Sequence, residues 1–352
     1  MSEQNATIKA GLIGFGLSGA TFHAPILCSI PDYEIAAVVS SHPEKVYKAL
    51  PEAVVYSQVE QLLNDASIDV VIVTSPNATH YEYAKNAIEA GKHVVVEKPF
   101  TVTSEEAKAL IALAKNRGVL LTVYQNRRWD NDFLTARNLL ETGALGRLSL
   151  YYAQFNRYRP DIKNSWKEQD EPGTGLLYDL GSHLLDQALV LFGKPQSIWA
   201  DLREERPGSA VTDYFHLVLA YENHRAILHA GSLVRQAGPR FELHGDKGSF
   251  LKYGLDPQEG QLKQGLRPGD PGWGEDQPDQ YGELATEFSG LAVQGQIDTL
   301  PGRYHAFYQG LAEAITSGSV VPVNPEDALS TIRLIEYALE SHRKGCVIQV
   351  EE

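Results

Sequence analysis

Apolar and polar positions follow two different rhythms along this chain. Up to about residue 125, short apolar and β-branched runs alternate with stretches of helical spacing. Runs at 8–13, 34–39, 54–56, 68–74, 93–96 and 119–124 predict six strands. The run Ile68-Asp69-Val70-Val71-Ile72-Val73-Thr74 has almost no polar position, as expected of a strand buried on both faces. Between the runs, Ser57 with Glu60 and Thr103 with Glu106 have the spacing of capping boxes. Gly91 and Gly118 stand where helix-ending glycines belong. This alternation predicts a parallel sheet with helices on both faces.

The rhythm changes after about Arg128. Residues 130–142 read as a helix ended by Gly143. Longer β-type runs then occupy 148–158, 197–202, 214–221 and 225–233, with a helix over 176–192 between the first two. Only turns separate the later runs, so a mostly antiparallel, open sheet is expected. Residues 254–300 are rich in Gly, Pro, Gln and Asp and predict a long excursion with little regular structure. Helical spacing returns over 304–317 and 326–344. There is no internal repeat and no low-complexity segment.

The glycine turn after the first strand gives this pattern a chemistry. Gly14-Phe15-Gly16-Leu17-Ser18-Gly19 is a GxGxxG. Alone the motif is weak, but a predicted strand precedes it and a helical segment follows. The glycines permit a tight turn, close backbone approach to a pyrophosphate, and tight helix–strand contact. The helix N-terminus favours phosphate charge. Pro25 must start a turn or break that first helix. The expected class is α/β: a Rossmann dinucleotide-binding domain over residues 1–126, then a substrate-binding and oligomerisation α+β domain over 127–352.

The second strand bears on cofactor choice. An NAD-preferring site places Asp or Glu at its end, on the ribose 2′-OH. Here Val38-Val39-Ser40-Ser41-His42-Pro43-Glu44-Lys45 has no carboxylate directly at that point. Ser40, Ser41 and Lys45 suit a 2′-phosphate. The expectation is NADP in preference to NAD. The alternative is that Lys45 is an ordinary solvated lysine and both cofactors serve.

Bulk composition removes other classes. With 352 residues, two domains are expected. The net charge of −14, from 31 basic and 45 acidic residues, argues against a nucleic-acid partner. Cys28 and Cys346 lie far apart and outside any CxxC pattern. A disulfide framework or thiolate metal site is not expected, and a reducing compartment fits. The N-terminus has no basic segment leading into an apolar one. No apolar run approaches the roughly 18 residues of a membrane span. The expectation is a cytoplasmic protein without membrane contact.

Four segments, in order along the chain, are more specific. Thr74-Ser75-Pro76-Asn77 with His80 follows the fourth strand. Glu97-Lys98-Pro99 ends the fifth. Gln125-Asn126-Arg127-Arg128-Trp129-Asp130 follows the sixth. A stretch from Gly173 to His183 opens the helix of the second domain. Together they resemble the glucose–fructose oxidoreductase / inositol dehydrogenase (Gfo/Idh/MocA) family. The segments at 16–25, 126–132 and 156–160 most resemble its NADP-dependent scyllo-inositol 2-dehydrogenase branch. The resemblance implies a cis peptide before Pro99 and places Lys98, Asp179 and His183 at the catalytic centre. It fits a homodimer or homotetramer built through the second sheet.

The residues themselves suit alcohol–ketone hydride transfer. That reaction needs a base near a hydroxyl and a group that stabilises developing alkoxide charge. Lys98 lies at the carboxyl end of a strand, where ligands bind in such sheets. A surface lysine paired to a carboxylate is the plain alternative. Asp179 and His183 are four apart on one predicted helix face. His183 would be the general base, with Asp179 binding a substrate hydroxyl or orienting the imidazole. An ordinary helix-face hydrogen bond is the alternative. His183 and Asp186 could ligate a metal, but no third ligand has the spacing, so none is expected.

Asn77 and His80 are expected near the nicotinamide ribose, and Glu97 and Gln125 beside the cofactor. Arg128, Tyr158 and Trp166 are expected to contact a polyol or cover the nicotinamide, and for each of these residues, Asn77, His80, Glu97 and Gln125 included, a packing or salt-bridge role is the alternative. For His23, a buried or capping histidine and a site role stand equal. The expected function is a cyclitol or sugar dehydrogenase, scyllo-inositol first among substrates. The alternatives are reduction of another carbonyl, dicarbonyl or bilin, and a non-catalytic NADP(H) sensor.

Overall fold

The computed structural model describes residues 7–351. Residues 1–6, on which the expectation of no leader segment rests, and residue 352 lie outside the described residues. Six strands form one all-parallel sheet: β1 (Ile8–Ile13), β2 (Tyr33–Val39), β3 (Val54–Tyr56), β4 (Val70–Val73), β5 (His93–Val96) and β6 (Leu121–Val123). Their order is β3-β2-β1-β4-β5-β6. It is the Rossmann order, and it reverses between β1 and β4, where such sheets bind dinucleotides. All four residues of β4 are buried, as their unbroken Val-Val-Ile-Val run requires.

The helix signals of this unit are met in most places. Thr103 Oγ1 accepts from the Glu106 N–H at 3.3 Å, and Glu106 Oε2 accepts from the Thr103 and Val102 N–H groups at 3.2 and 3.1 Å. That reciprocal box opens the helix Ser104–Arg117, and Gly118 closes it at φ 68°. The Ser57/Glu60 box is corrected. Helix Val59–Leu63 starts one residue later, and Gln61 Oε1 accepts from the Ser57 and Gln58 N–H groups. An amide oxygen serves those donors as a carboxylate would, and Gln61 occupies the third helical position. The helix after the glycine turn is a widened π-helical turn, Ser18–His23, followed by Ala24–Leu27. Pro25 lacks an N–H, so a regular ladder cannot run through it.

Nine further strands form the second sheet: β7 (Leu148–Gln154), β8 (Ser197–Arg203), β9 (Tyr214–Ala220), β10 (Arg225–Gly231), β11 (Phe241–Gly245), β12 (Gly248–Lys252), β13 (Gly282–Phe288), β14 (Leu291–Ile297) and β15 (Ile348–Gln349). Their order is β14-β13-β12-β11-β7-β10-β9-β8-β15. Every neighbouring pair is antiparallel except β7 and β10, which are parallel. Along β9 burial alternates strictly between half-buried and buried. One face of the sheet is packed and the other is open, as the alternation predicts.

The expectation of an irregular 254–300 is overturned. This stretch holds the helix Gln258–Gln264 and the β13–β14 hairpin. Most of β13 and β14 is exposed on both faces, so no buried face imprinted a period of two on their sequence. The five-residue strands β11 and β12 were also absent from the sequence reading, being too short to carry a clear period.

The chain divides into two compact units. The first comprises residues 1–126, 258–273 and 303–329; the second comprises 127–257, 274–302 and 330–352. A cut after Asn126 therefore separates most of each unit, and two later segments return to the first. One of them carries the helix His305–Ser317.

Candidate active site

In the first unit the glycine turn leaves β1 at Gly14, whose φ is +100°, a conformation side chains rarely adopt. Thr74, just past β4, donates its hydroxyl to the Ile13 and Gly14 carbonyls at 3.1 and 2.9 Å and closes the turn from below. A Cβ on Gly19 would lie 2.7 Å from the Gly14 oxygen, so the turn and the following helix touch only because Gly19 has no side chain. A Cβ on Gly16 would meet nothing within 4 Å. That is the open cradle a pyrophosphate needs. Phe15 is buried and Leu17 is exposed beside it.

The β5 end is tied to this turn. The Lys98–Pro99 peptide is cis, as the resemblance implies. Glu97 Oε2 accepts from the Lys98 N–H at 2.8 Å, and Glu97 Oε1 accepts from the Ser18 hydroxyl. His23, fully buried, places Nε2 2.9 Å from the same Oε1 and Nδ1 2.5 Å from the Tyr308 hydroxyl. Burial alone would raise the Glu97 carboxyl. The His23 contact and charge, the Ser18 bond and the Lys98 charge outweigh it and hold the group down at about 2. Sequence reading left His23 open between a buried and a site role. The structure makes it a buried link to Glu97. Tyr308 was missed altogether, because no local pattern connects positions 285 residues apart.

The remaining first-unit residues border the same sheet edge. Both ring nitrogens of buried His80 lie near carbonyls, Pro99 O at 2.8 Å and Ser75 O at 3.0 Å, so the ring sits between the loops after β4 and β5 and its N–H can serve one of them. Burial pushes its pKa down. Ser75 Oγ accepts from the Thr79 hydroxyl at 2.7 Å, and Asn77 opens the short 3₁₀ turn Asn77–Thr79. At the end of β2, Ser40 Oγ accepts from the His42 N–H at 3.0 Å, while Ser41 and Lys45 are exposed. The nearby Glu44 carboxylate lies 3.5 Å from His42 Nδ1. Gln125 is buried, and its Oε1 has no hydrogen-bond partner among the described residues. The glycine cradle and that orphaned amide oxygen are what a dinucleotide would occupy, so the residues fit NAD or NADP.

In the second unit the helix of Asp179 and His183 is not regular. A π-helical turn, Leu177–Gly181, runs into the α-helix Ser182–Phe192. Such widened turns recur at functional sites. Asp179 Oδ1 accepts from Lys167 Nζ at 2.8 Å. His183 is buried, its ring 6.3 Å from that of Phe155. Arg128, expected at the substrate, makes a bidentate pair with Asp186 at 2.7 and 2.8 Å. That pair anchors the His183 helix one turn beyond the histidine and occupies the carboxylate considered for a metal. Among the described residues no group of three His, Cys, Asp or Glu could hold one. Tyr158 is partly exposed and lies under the Arg235 guanidinium, 4.0 Å from its ring centre. Trp166 opens a 3₁₀ turn beside Lys167.

A buried lattice supports this helix from behind. Gln187 donates to the Arg127 carbonyl at 2.9 Å and accepts from Arg240 Nη2 at 2.8 Å. Sequence reading missed Arg240, since a lone arginine in a β-rich stretch gives no sign of being buried.

Comparison with known proteins agrees with this arrangement. Residues 8–125 match the model of an oxidoreductase family's NAD-binding Rossmann fold, and residues 137–350 match that family's C-terminal alpha/beta domain. The chain is 44% identical over 345 residues to a scyllo-inositol 2-dehydrogenase (NADP(+)) of Bacillus subtilis, covering 98% of this chain and 96% of that one. It is 31% identical over 198 residues to the D-glucoside 3-dehydrogenase of Escherichia coli, covering 54% and 56%. The solved structure of the yvaA protein of Bacillus subtilis superposes with a TM-score of 0.96 at 44% identity, covering 99% of this chain and all of that one. No described helix is long and apolar enough to cross a membrane.

Proposed function

We propose, from the premise that this chain belongs to the Gfo/Idh/MocA oxidoreductase family, that it interconverts a secondary alcohol of a cyclitol or sugar with its ketone. The first substrate to test is scyllo-inositol and its 2-ketone, because the Bacillus subtilis relative is named for it. The carrying observation is the knot at the end of β5. Lys98 starts from a backbone tied to Glu97, and Glu97 also holds Ser18 of the glycine turn.

The bound nicotinamide supplies the hydride acceptor or donor. The chain supplies the rest. The Lys98 ammonium donates a hydrogen bond to the reacting oxygen and stabilises alkoxide charge as it develops. His183 takes the hydroxyl proton in oxidation and returns it in reduction. Asp179, with its carboxylate set by Lys167, accepts a substrate hydroxyl. Tyr158 and Trp166 border the sugar, and Arg128 holds the His183 helix in place through Asp186. Asn77, Gln125 and the Gly14–Gly19 turn hold the cofactor. We assign NADP before NAD, on the missing carboxylate at the end of β2 and the exposed Ser41 and Lys45. The second unit, residues 127–257, 274–302 and 330–352, binds substrate, and we propose that the open face of its sheet pairs copies of the chain.

A parallel screen of inositols and aldoses with NADP and NAD, read at 340 nm, tests the reading. Lys98→Met and His183→Ala should each lower turnover about a hundredfold or more while cofactor still binds. Full turnover in both would sink the proposal. Tight NADP(H) binding with no polyol, sugar, dicarbonyl or bilin turned over would favour a sensor instead.

A further inference from the structure

We infer that Tyr308 and His23 are positioning residues for Lys98, acting through Glu97, and that they hold the glycine turn and the β5 end in one working arrangement. This rests on the reading of Lys98 as the group at the reacting oxygen.

The geometry gives Glu97 three donors and leaves it no role but acceptor. Glu97 is a carboxylate and can only accept. It takes the Ser18 hydroxyl and His23 Nε2–H on Oε1 and the Lys98 N–H on Oε2. His23 Nδ1 lies against the Tyr308 hydroxyl, so the ring is held at both nitrogens, by Glu97 on one side and Tyr308 on the other. Tyr308 stays a phenol, since burial pushes its hydroxyl well above the ordinary range. The Tyr33 hydroxyl donates to the Tyr308 carbonyl at 2.9 Å and fixes the far end. Aromatic rings wall the chain in: Tyr124 lies 4.3 Å from the His23 ring and 4.9 Å from Phe307.

The arrangement does more than fill a core. Its last member touches the backbone of the proposed catalytic lysine and the side chain of Ser18. Two separate loops, both at the sheet edge where the cofactor binds, therefore share one carboxylate. The charged and titratable groups around Glu97 are His23, Lys98, His80, Tyr124 and Tyr308, with the neutral Ser18. The His23 contact is the largest influence that favours its ionised form. Without that contact, burial would dominate and Glu97 would take up a proton at higher pH. A protonated Glu97 loses acceptor capacity, so Ser18 and Lys98 would no longer be held together.

Three variants test this. His23→Leu should lower kcat at least tenfold and move the acid limb of the kcat profile up by at least one pH unit. His23→Gln, whose amide N–H can reach Glu97 from about the Nε2 position, should recover most of both. Tyr308→Phe keeps the ring but removes the hydroxyl that holds His23, and should shift the same limb in the same direction. If His23→Leu does not fold, Tyr308→Phe against His23→Gln carries the comparison. A role in packing alone predicts lowered melting temperatures with an unmoved acid limb and unchanged kcat, and that result overturns the inference. An active Lys98→Met variant would instead overturn the reading beneath it.

Discussion

At the residue scale, the site is governed by which polar groups lose water and what replaces it. Glu97 gives up solvent but gains three donors, and its carboxyl falls to about 2 from an ordinary 4.5. A depressed carboxyl adds stability that is fully present above its unfolded value and is lost as pH falls through the folded one. The melting-temperature gap between wild type and Glu97→Gln should therefore be constant above pH 5 and narrow between about 4.5 and about 2. A gap independent of pH would show that Glu97 is not ionised in the fold. Lys45 is the opposite kind of residue, exposed to solvent. If it binds a 2′-phosphate, Lys45→Met should raise the KM for NADP about tenfold and leave that for NAD unchanged. The end of β5 was partly legible in the sequence, and the Lys45 role is still an expectation drawn from it. The EKP tripeptide and the missing acid after β2 are local signals, whereas the His23 contact that keeps Glu97 ionised is not.

At the element scale, caps and close approaches decide where helices begin and how near they come to the sheet. Thr103→Ala removes one half of the box that opens Ser104–Arg117 and should cost about 1 kcal/mol, read as a lowered melting temperature with unchanged turnover. Gly19→Ala drives a methyl to 2.7 Å from the Gly14 oxygen. The turn must open to admit it, at about 1–3 kcal/mol, and NADP titration should show weaker binding together with the lower melting temperature. The Thr103 box was readable because both partners lie within one turn. The box at Ser57 was misread by one residue because Ser, Gln and Glu can all cap, and only the backbone path chooses among them. The π-helical turn under Asp179 was not readable. Asp179 and His183 are four apart in sequence, which fits a regular helix equally well.

At the scale of the whole molecule, the second sheet has two unlike faces. Its packed face is lined by residues such as Phe215, Leu217 and Leu219, while the open face carries Trp199, Tyr214, His216 and Val218. Trp199 is 37% exposed on that face. An exposed tryptophan on an open sheet face suits an interface. A dimer or tetramer mass in solution, reduced by Trp199→Glu, is the expected outcome, and a monomer for wild type would remove the oligomer proposal. Local order was within reach of the sequence throughout. Strand-and-helix alternation, the GxGxxG turn and the buried β4 run each need only neighbouring residues, so the Rossmann unit and its ligand class follow from the chain directly. Folding alone decided three things. It made a nine-stranded sheet of four expected runs, because exposed or short strands carry no hydrophobic period. It returned residues 258–273 and 303–329 to the first unit. It placed Tyr308 against His23. Each depends on which distant surfaces bury one another, and a linear pattern records that a residue is apolar or polar but not what it will meet.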